Sequence, residues 1–547
     1  MLSVLGFLAV LGPLVVVHEL GHFLFARLFN VKAEIFSIGF GPTLFKKQWG
    51  ETEYRLSWIP MGGYVKLLGA EPEEELSASD MKRALSRQAP WKRFFIFFGG
   101  PLFNFLFAIV VFMAILMIGE QHMSSRVGRV VEGTVAEKAG FQPGDRIVSV
   151  QGKPVAKFEE LNNELQAFPD QEVDLGVVRA GATAEAVPQI IKVRTQTEAG
   201  YSEYGEEKSV GVIPGLFPTS RSTEVGVSDP RSVAAKAGIK TGYRVTEIDG
   251  AAVKNWEEIV IKVGSIPAGQ AFKLTLVSKD AIAQPLSLEL KKENAKDRLE
   301  DLAGLYSSEL FVERTIEQSP AAGAGLQAGD RLVAVDSTQI RSFFELKDAI
   351  QAGGEKAGAV VLKWEREGQV LEKKLTPTAT QTRDPLLKKQ TTYTIGVVPQ
   401  LVWAEPEYVI ERVLNPFALV AQATERMAIF SWRNLVSIRK MITGDVSVAT
   451  LGGPILIGKI AGESISRGLI AFLTTMAVLS VGLGVLNILP VPVLDGGHLL
   501  LLGIEMVRGK PLTLRQMEIV QQVGLSLILL LMVVVIKNDL ARLPIFN

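Results

Sequence analysis

Val15-Val16-Val17-His18-Glu19-Leu20-Gly21-His22-Phe23-Leu24-Phe25-Ala26 places an HExxH motif inside an apolar run near the start of the chain. On a helix, positions i and i+4 share a face, so His18 and His22 can hold one metal ion while Glu19 approaches its open coordination position. Leu2 to Val17 carries no charged residue. It lacks the basic n-region and small-residue cleavage signature of a signal peptide, so a first membrane span is expected. Ionisable groups at membrane depth need a partner or a polar cavity. A metal ion would be that partner.

Three further uncharged runs, Phe94 to Gly119, Gly468 to Leu494 and Ile519 to Ile536, reach the roughly 17–25 residues that a helix needs to cross a bilayer. Four such runs argue against a soluble helical protein. Lys32, Lys46, Lys47, Arg55, Lys66 and the basic residues from Lys82 to Arg93 crowd the loop between the first two spans. The positive-inside rule therefore puts that loop in the cytoplasm, although Glu71 and the Glu73–Glu75 run lower its net charge. Both termini and the long segment after the second span then lie outside, and Arg508, Lys510 and Arg515 mark a second cytoplasmic loop. The 547 residues suggest roughly three or four domains. With 58 basic against 58 acidic residues and no concentrated basic surface, no nucleic-acid partner is expected. The absence of cysteine excludes disulfides and thiol catalysis.

The hydrophilic segment from about residue 123 to 400 repeats itself. Ala139-Gly140-Phe141-Gln142-Pro143-Gly144-Asp145-Arg146-Ile147 recurs from Ala237 to Val245 and from Ala324 to Leu332, with turn glycines Gly140, Gly144, Gly238, Gly242, Gly325 and Gly329. Each copy is followed by a short apolar strand, a turn and a helix-like stretch, which indicates three related domains. The turn resembles that of bacterial PDZ domains, a family that takes up a peptide as an added strand or binds a carboxyl terminus. Spacers or size filters without a ligand are the other reading. Tyr243 stands where the other copies carry Asp145 and Asp330, which leaves the middle groove the least defined.

A catalytic zinc site normally has three protein ligands and a water. The other two histidines are His122 and His498, and the stronger candidate is Asp495, in the stretch from Asn487 to His498, NILPVPVLDGGH. Its two prolines interrupt a helix, and broken helix at membrane depth is tolerated where it lines a polar cavity. A plain helix-end cap is the alternative role for Asp495. From Arg412 to Gly444, apolar residues alternate with Arg426, Arg433, Arg439 and Lys440, as in an interfacial amphipathic helix or a soluble helix lying against the repeated domains.

Taken in order, the early HExxH, the intervening PDZ-like repeats and the distal Asn-x-x-Pro-x-Pro-x-Leu-Asp-Gly-Gly element resemble the site-2 protease family, in particular its RseP-type branch of bacterial regulated intramembrane zinc metalloproteases. The resemblance covers essentially the whole chain. It implies a polytopic α-helical membrane protease core with inserted β-rich PDZ-like periplasmic domains, three where members often carry two. It assigns His18, His22 and Asp495 to one Zn2+ per chain, Glu19 to acid/base catalysis and Asn487 to transition-state or substrate positioning. Gly99-Gly100-Pro101-Leu102-Phe103-Asn104 resembles the family's second-span turn, with Asn104 bonding across the site as a substrate-positioning residue. Phe40-Gly41 and the stretch containing Tyr54, Gly62, Gly63, Tyr64, Val65 and Lys66 resemble its membrane-associated loop and substrate-holding hairpin; an ordinary cytoplasmic hairpin is the alternative.

The resemblance further implies a multi-pass protein of the bacterial inner membrane, with both termini and the PDZ-like domains periplasmic. Its substrates would be single-span membrane proteins, an anti-sigma factor or a remnant signal peptide, already cut by an upstream periplasmic protease. The expected divisions are 1–122 for the first two spans with the cytoplasmic hairpin, then PDZ-like domains at 123–220, 221–305 and 306–400. An amphipathic or linker region at 401–466 and the last two spans at 467–547 complete the chain. A non-catalytic membrane scaffold is the competing function, against which the HExxH and the distal Asp stand intact. A serine protease lacks a nucleophile element beside any histidine, and a metal transporter lacks polar residues along several spans.

Overall fold

The computed structural model describes residues 2–70, 77, 80–182, 186–202, 206–278, 284–383, 389–510 and 512–542; Glu71 and the Glu73–Glu75 run lie outside them. Among the described residues, four helices are long and apolar enough to cross a membrane: those containing Leu5–Leu28, Pro90–Ile118, Leu469–Ile488 and Arg515–Ala541. The helices of this part are α1 (Leu2–Leu28), α2 (Pro90–Ile118), α3 (Pro416–Thr443), α4 (Pro454–Arg467), α5 (Leu469–Ile488), α6 (Asp495–Arg508) and α7 (Leu514–Ala541). The run expected to extend from Gly468 to Leu494 is helical only to Ile488, because Pro490 and Pro492 remove N–H donors just beyond it.

Glycine makes the central crossing. A Cβ on Gly21 of α1 would stand 2.1 Å from the Gly99 carbonyl oxygen of α2, so these two helices meet backbone to backbone. Gly6 approaches α4 in the same way at Gly462. Farther along α2, Ala108, Phe112 and Ile115 form a buried cluster with Leu419 and Ala423 of α3 and Ala477 and Val481 of α5. The opposite side of α3 leaves Phe417, Trp432 and Ile442 exposed, while Lys440 forms an ion pair with Glu206 of the first repeat. This helix therefore packs on the span helices and touches the repeats as well. The last span is held differently. Near its end, Asp539 accepts from the backbone N–H groups of Gly453, Ile455 and Leu456, capping α4.

Strands β1 (Ala33–Trp49) and β2 (Thr52–Leu67) turn at residues 50 and 51, so the stretch from Tyr54 to Lys66 is one return strand and not a hairpin by itself. Both strands bend. Residues 35–38 lie opposite 63–66 on one side and 53–56 on the other, while 43–49 lie opposite 52–57, which makes a small sheet from a single turn. Gly62, at φ 150°, and Pro60, without an N–H, stand at the bend of β2.

Residues 123 to 407 form three similar units. Each has a four-stranded sheet, built around Arg146–Val150, Arg244–Ile248 and Arg331–Val335, and its own apolar core. The repeated turn closes in the same way in the first and third: Asp145 accepts from the Gln142 N–H and pairs with Arg179, and Asp330 accepts from the Gln327 N–H and pairs with Arg366. In the middle unit both partners are changed, Tyr243 replacing the aspartate and Ser278 the arginine. One buried carboxylate ties the units together. Glu309 receives Arg129 from the first, Arg221 from the second and the Phe343 N–H from the third.

The polypeptide leaves and rejoins the helices through one pair of strands. β3 (Glu120–Met123) follows α2, β4 (Tyr408–Glu411) precedes α3, and the two are antiparallel partners from Glu120↔Glu411 to Met123↔Tyr408. On this neck, His122 Nε2 lies 3.4 Å from both Glu120 and Glu411. Arg426 of α3 pairs with both carboxylates, and Lys157 of the first unit pairs with Glu411.

Candidate metal centre and active site

The HExxH stretch is helical, so His18 and His22 fall on one face of α1, their ring centroids 4.9 Å apart. Opposite them, the chain makes a tight turn after α5. Gly496 and Gly497 pack against the backbone of residues 488–492 so closely that a Cβ on either would collide with a carbonyl oxygen, at 2.1 Å and 2.5 Å. That turn starts α6 with Asp495 in its first position. The Asp495 carboxylate thereby reaches both histidines, Oδ2 3.1 Å from His18 Nε2 and Oδ1 3.3 Å from His22 Nε2. Two segments at opposite ends of the chain thus converge on a single point.

These three donors suit a metal ion. Their ligand atoms lie within 4.8 Å of one another, and two imidazoles with one carboxylate form a common catalytic zinc set. His22 Nδ1–H donates to the Ile96 carbonyl at 2.8 Å, which leaves its Nε2 lone pair for a cation. Gly100 of α2 keeps space beside the ligands, since a Cβ there would stand 2.3 Å from His22 Nε2 and 2.8 Å from His18 Nε2. Among the described residues, no lysine or arginine forms a salt bridge with Asp495.

The other residues singled out from the sequence are distributed unequally. Glu19 is buried beside the histidines, and strand β2 passes over it: a Cβ on Gly63 would lie 2.9 Å from Glu19 Cγ. Asn487 Nδ2 stands 3.4 Å from His18 Nε2, and Asn104 Nδ2 3.0 Å from His18 Nδ1. Gly62 lies against Phe40, on which Tyr64 stacks. Tyr54, by contrast, packs on Phe23 and Phe36, Val65 belongs to the same apolar cluster, and Lys66 pairs with Glu34. Those three stabilise the sheet and do not reach the cluster. The six turn glycines lie in the repeated units and all adopt positive φ. His498 stacks on Phe97, and His122 belongs to the neck. No sign of the Ile96 carbonyl was present in the sequence, which marked Gly100 only as part of the second-span turn, not as the space beside two imidazoles.

Comparison with known proteins agrees with this arrangement. Peptidase family M50 matches residues 6–531 of the chain. A Neisseria meningitidis protein named as a zinc metalloprotease is 32% identical over 546 residues, 99% of each chain. The regulator of sigma-E protease RseP of Salmonella typhimurium is 28% identical over 99% of this chain and 100% of its own, and that of Escherichia coli is 27% identical over 98% of each. A solved PDZ domain protein from Parabacteroides distasonis matches 51% of this chain and 99% of its own at 11% identity, with a TM-score of 0.12 that is too low to carry an argument. With an HExxH helix facing a distal aspartate across a set of apolar helices, and with M50 matching nearly end to end, the chain belongs to peptidase family M50, the site-2 proteases, and is a zinc metalloprotease.

Proposed function

We propose that the chain hydrolyses peptide bonds within or beside the transmembrane segment of single-span membrane proteins, using one zinc ion held by His18, His22 and Asp495. The convergence of these three donors among span-length apolar helices, with no basic side chain among the described residues paired to the carboxylate, carries this reading. When bound, zinc supplies a Lewis acid for the scissile carbonyl and acidifies water. Glu19 takes the proton of the attacking water and delivers it to the departing amine nitrogen. The Asn487 amide, next to His18 Nε2, donates toward the carbonyl oxygen as it gains charge.

A membrane helix hides its amides in its own hydrogen bonds, so the substrate must be opened before water reaches one. Residues 63–66 of β2 pair with β1 on one side, and among the described residues no strand pairs on the other. We assign this edge, with Gly63 against Glu19 and Gly62 and Tyr64 beside it on Phe40, to holding an unwound substrate as an added strand.

The basic loop between the first two spans supports a cytoplasmic hairpin, with the repeats and both termini periplasmic in a bacterial inner membrane. The units at 123–220, 221–305 and 306–400 then serve as PDZ-like domains, between 1–122, the 401–466 region and 467–547. They would exclude substrates whose outer domain is intact, so that cleavage follows an earlier periplasmic cut. Relatives named regulator of sigma-E protease support an anti-sigma factor as substrate. Cleavage by the reconstituted protein, compared with Glu19→Gln and read beside bound zinc, tests the mechanism; unchanged cleavage by the variant would sink it. Deleting residues 123–400 tests the gate, which fails if discrimination between intact and pre-cut substrate survives.

A further inference from the structure

Asn104 is fully buried on α2, at 0% exposure, yet only part of it is fixed by the fold. Ser480 Oγ of α5 donates to its backbone carbonyl at 2.8 Å and so clamps the main chain. Its side-chain Oδ1 is buried with no hydrogen-bond partner among the described residues, while Nδ2 stands 3.0 Å from His18 Nδ1. His18 alone therefore determines which way the carboxamide points. A carboxamide offers a donor from one end and an acceptor from the other in nearly the same shape. Turning it exchanges those ends and breaks no other hydrogen bond.

A histidine that gives its Nε2 lone pair to a metal keeps its proton on Nδ1, and that proton needs an acceptor. His22 has a permanent one, the Ile96 carbonyl. Among the described residues, His18 Nδ1 has only Asn104. If Nδ2 donated to Nδ1, the ring proton would sit on Nε2, facing Asp495 and the place of the metal.

We propose that Asn104 is a positioning residue, which turns Oδ1 toward the His18 Nδ1–H and holds the ring in the tautomer whose Nε2 lone pair faces Asp495. This rests on the zinc site proposed above. It gives Asn104 a role in orienting a ligand where the sequence suggested a contact to substrate.

The test uses the full chain in lipid nanodiscs and follows zinc loss to excess chelator, together with the visible absorption of the cobalt-substituted protein. Asn104→Asp keeps an acceptor without a donor, whereas Asn104→Leu keeps the volume without either. Loss of a metal site's supporting hydrogen bond typically costs about 10–100-fold in affinity. Asn104→Leu is therefore expected to release zinc at least about tenfold faster and to alter the cobalt bands, with Asn104→Asp staying within about threefold of wild type. Ser480→Ala, which removes only the main-chain clamp, should also stay within about threefold. Equal losses from Asp and Leu, a Leu variant as retentive as wild type, or a Ser480→Ala loss matching that of Leu would each overturn the proposal. If the Leu variant does not assemble, Asn104→Asp against wild type decides, since rapid loss from it contradicts the acceptor role. A wild-type protein that takes up no zinc would overturn the metal reading itself, a separate result.

Discussion

Two clusters in this molecule bring histidine and carboxylate together at nearly the same spacing, and they differ in charge balance. At the active site, His18, His22 and Asp495 stand 3.1–3.3 Å apart, and no basic side chain is paired with the aspartate among the described residues. At the neck, Glu120, His122 and Glu411 are also within 4.8 Å, but Arg426 and Lys157 already neutralise the two carboxylates. Spacing alone therefore does not identify a metal centre. An aspartate without a cation, facing two imidazoles in an apolar surrounding, has strong reason to take up a divalent ion. At the neck the carboxylates are already matched by cations of the protein itself.

The largest effect should come from the group that handles the proton. Glu19→Gln is expected to lower the cleavage rate about 10²–10⁴-fold with zinc content unchanged, as measured in a reconstituted assay beside metal analysis. Next, Asp495→Ala should empty most of the metal site, whereas His122→Ala should leave metal content as in wild type. Equal zinc loss in both would erase the distinction between the clusters.

A gain of function would sharpen it further. Arg426→Gln with Lys157→Gln removes both neutralising cations from the neck, and elemental analysis should then find a second zinc per chain in proportion to added metal. A protein still limited to one ion would show that charge balance is not what separates the clusters. Arg426→Gln alone should weaken the attachment of α3 to the neck by about 1.5–3 kcal/mol, the usual worth of hydrogen bonds to charged groups, read by denaturant titration.

The smallest effect is expected from pH. Burial would raise the Glu411 carboxyl, but Lys157 and Arg426 outweigh it and hold it below the ordinary range; Glu407 is lowered likewise, against its burial, by Arg126 and Arg146. Their folded values lie below the unfolded ones. The stability they contribute is thus complete above the unfolded value, near 4.5, and is lost as pH falls through the folded values. Hydrogen exchange at the Ser124 amide, bonded to the Glu407 carbonyl, should accelerate in that acid window beyond the intrinsic pH trend.

What was legible in the sequence was whatever a local pattern encodes. Helical spacing put His18 and His22 on one face, uncharged runs marked the four span-length helices, and the prolines after Asn487 announced a break in the helix. What remained hidden depends on contacts between distant segments. No pattern reveals that Gly100 leaves room for two imidazoles on another helix, or that a main-chain carbonyl at Ile96 fixes a histidine 74 positions away. The unequal placement of the residues from Tyr54 to Lys66 was hidden for the same reason. Tyr54 and Lys66 look equivalent to Gly63 along the strand, but of the three it is Gly63 whose backbone comes up against Glu19. The neck was missed because neither of its four-residue strands has an apolar repeat; each exists only as the other's partner.

Because β3 and β4 lie side by side, the chain departs from the helical body and returns to it at one place, like a cassette clipped in by both ends. Insertions of this kind cost the host little, since the two attachment points stay together whatever is carried between them, and closure entropy grows only slowly with loop length. Repeats could thus be added or lost in evolution without changing the distance between the HExxH helix and Asp495.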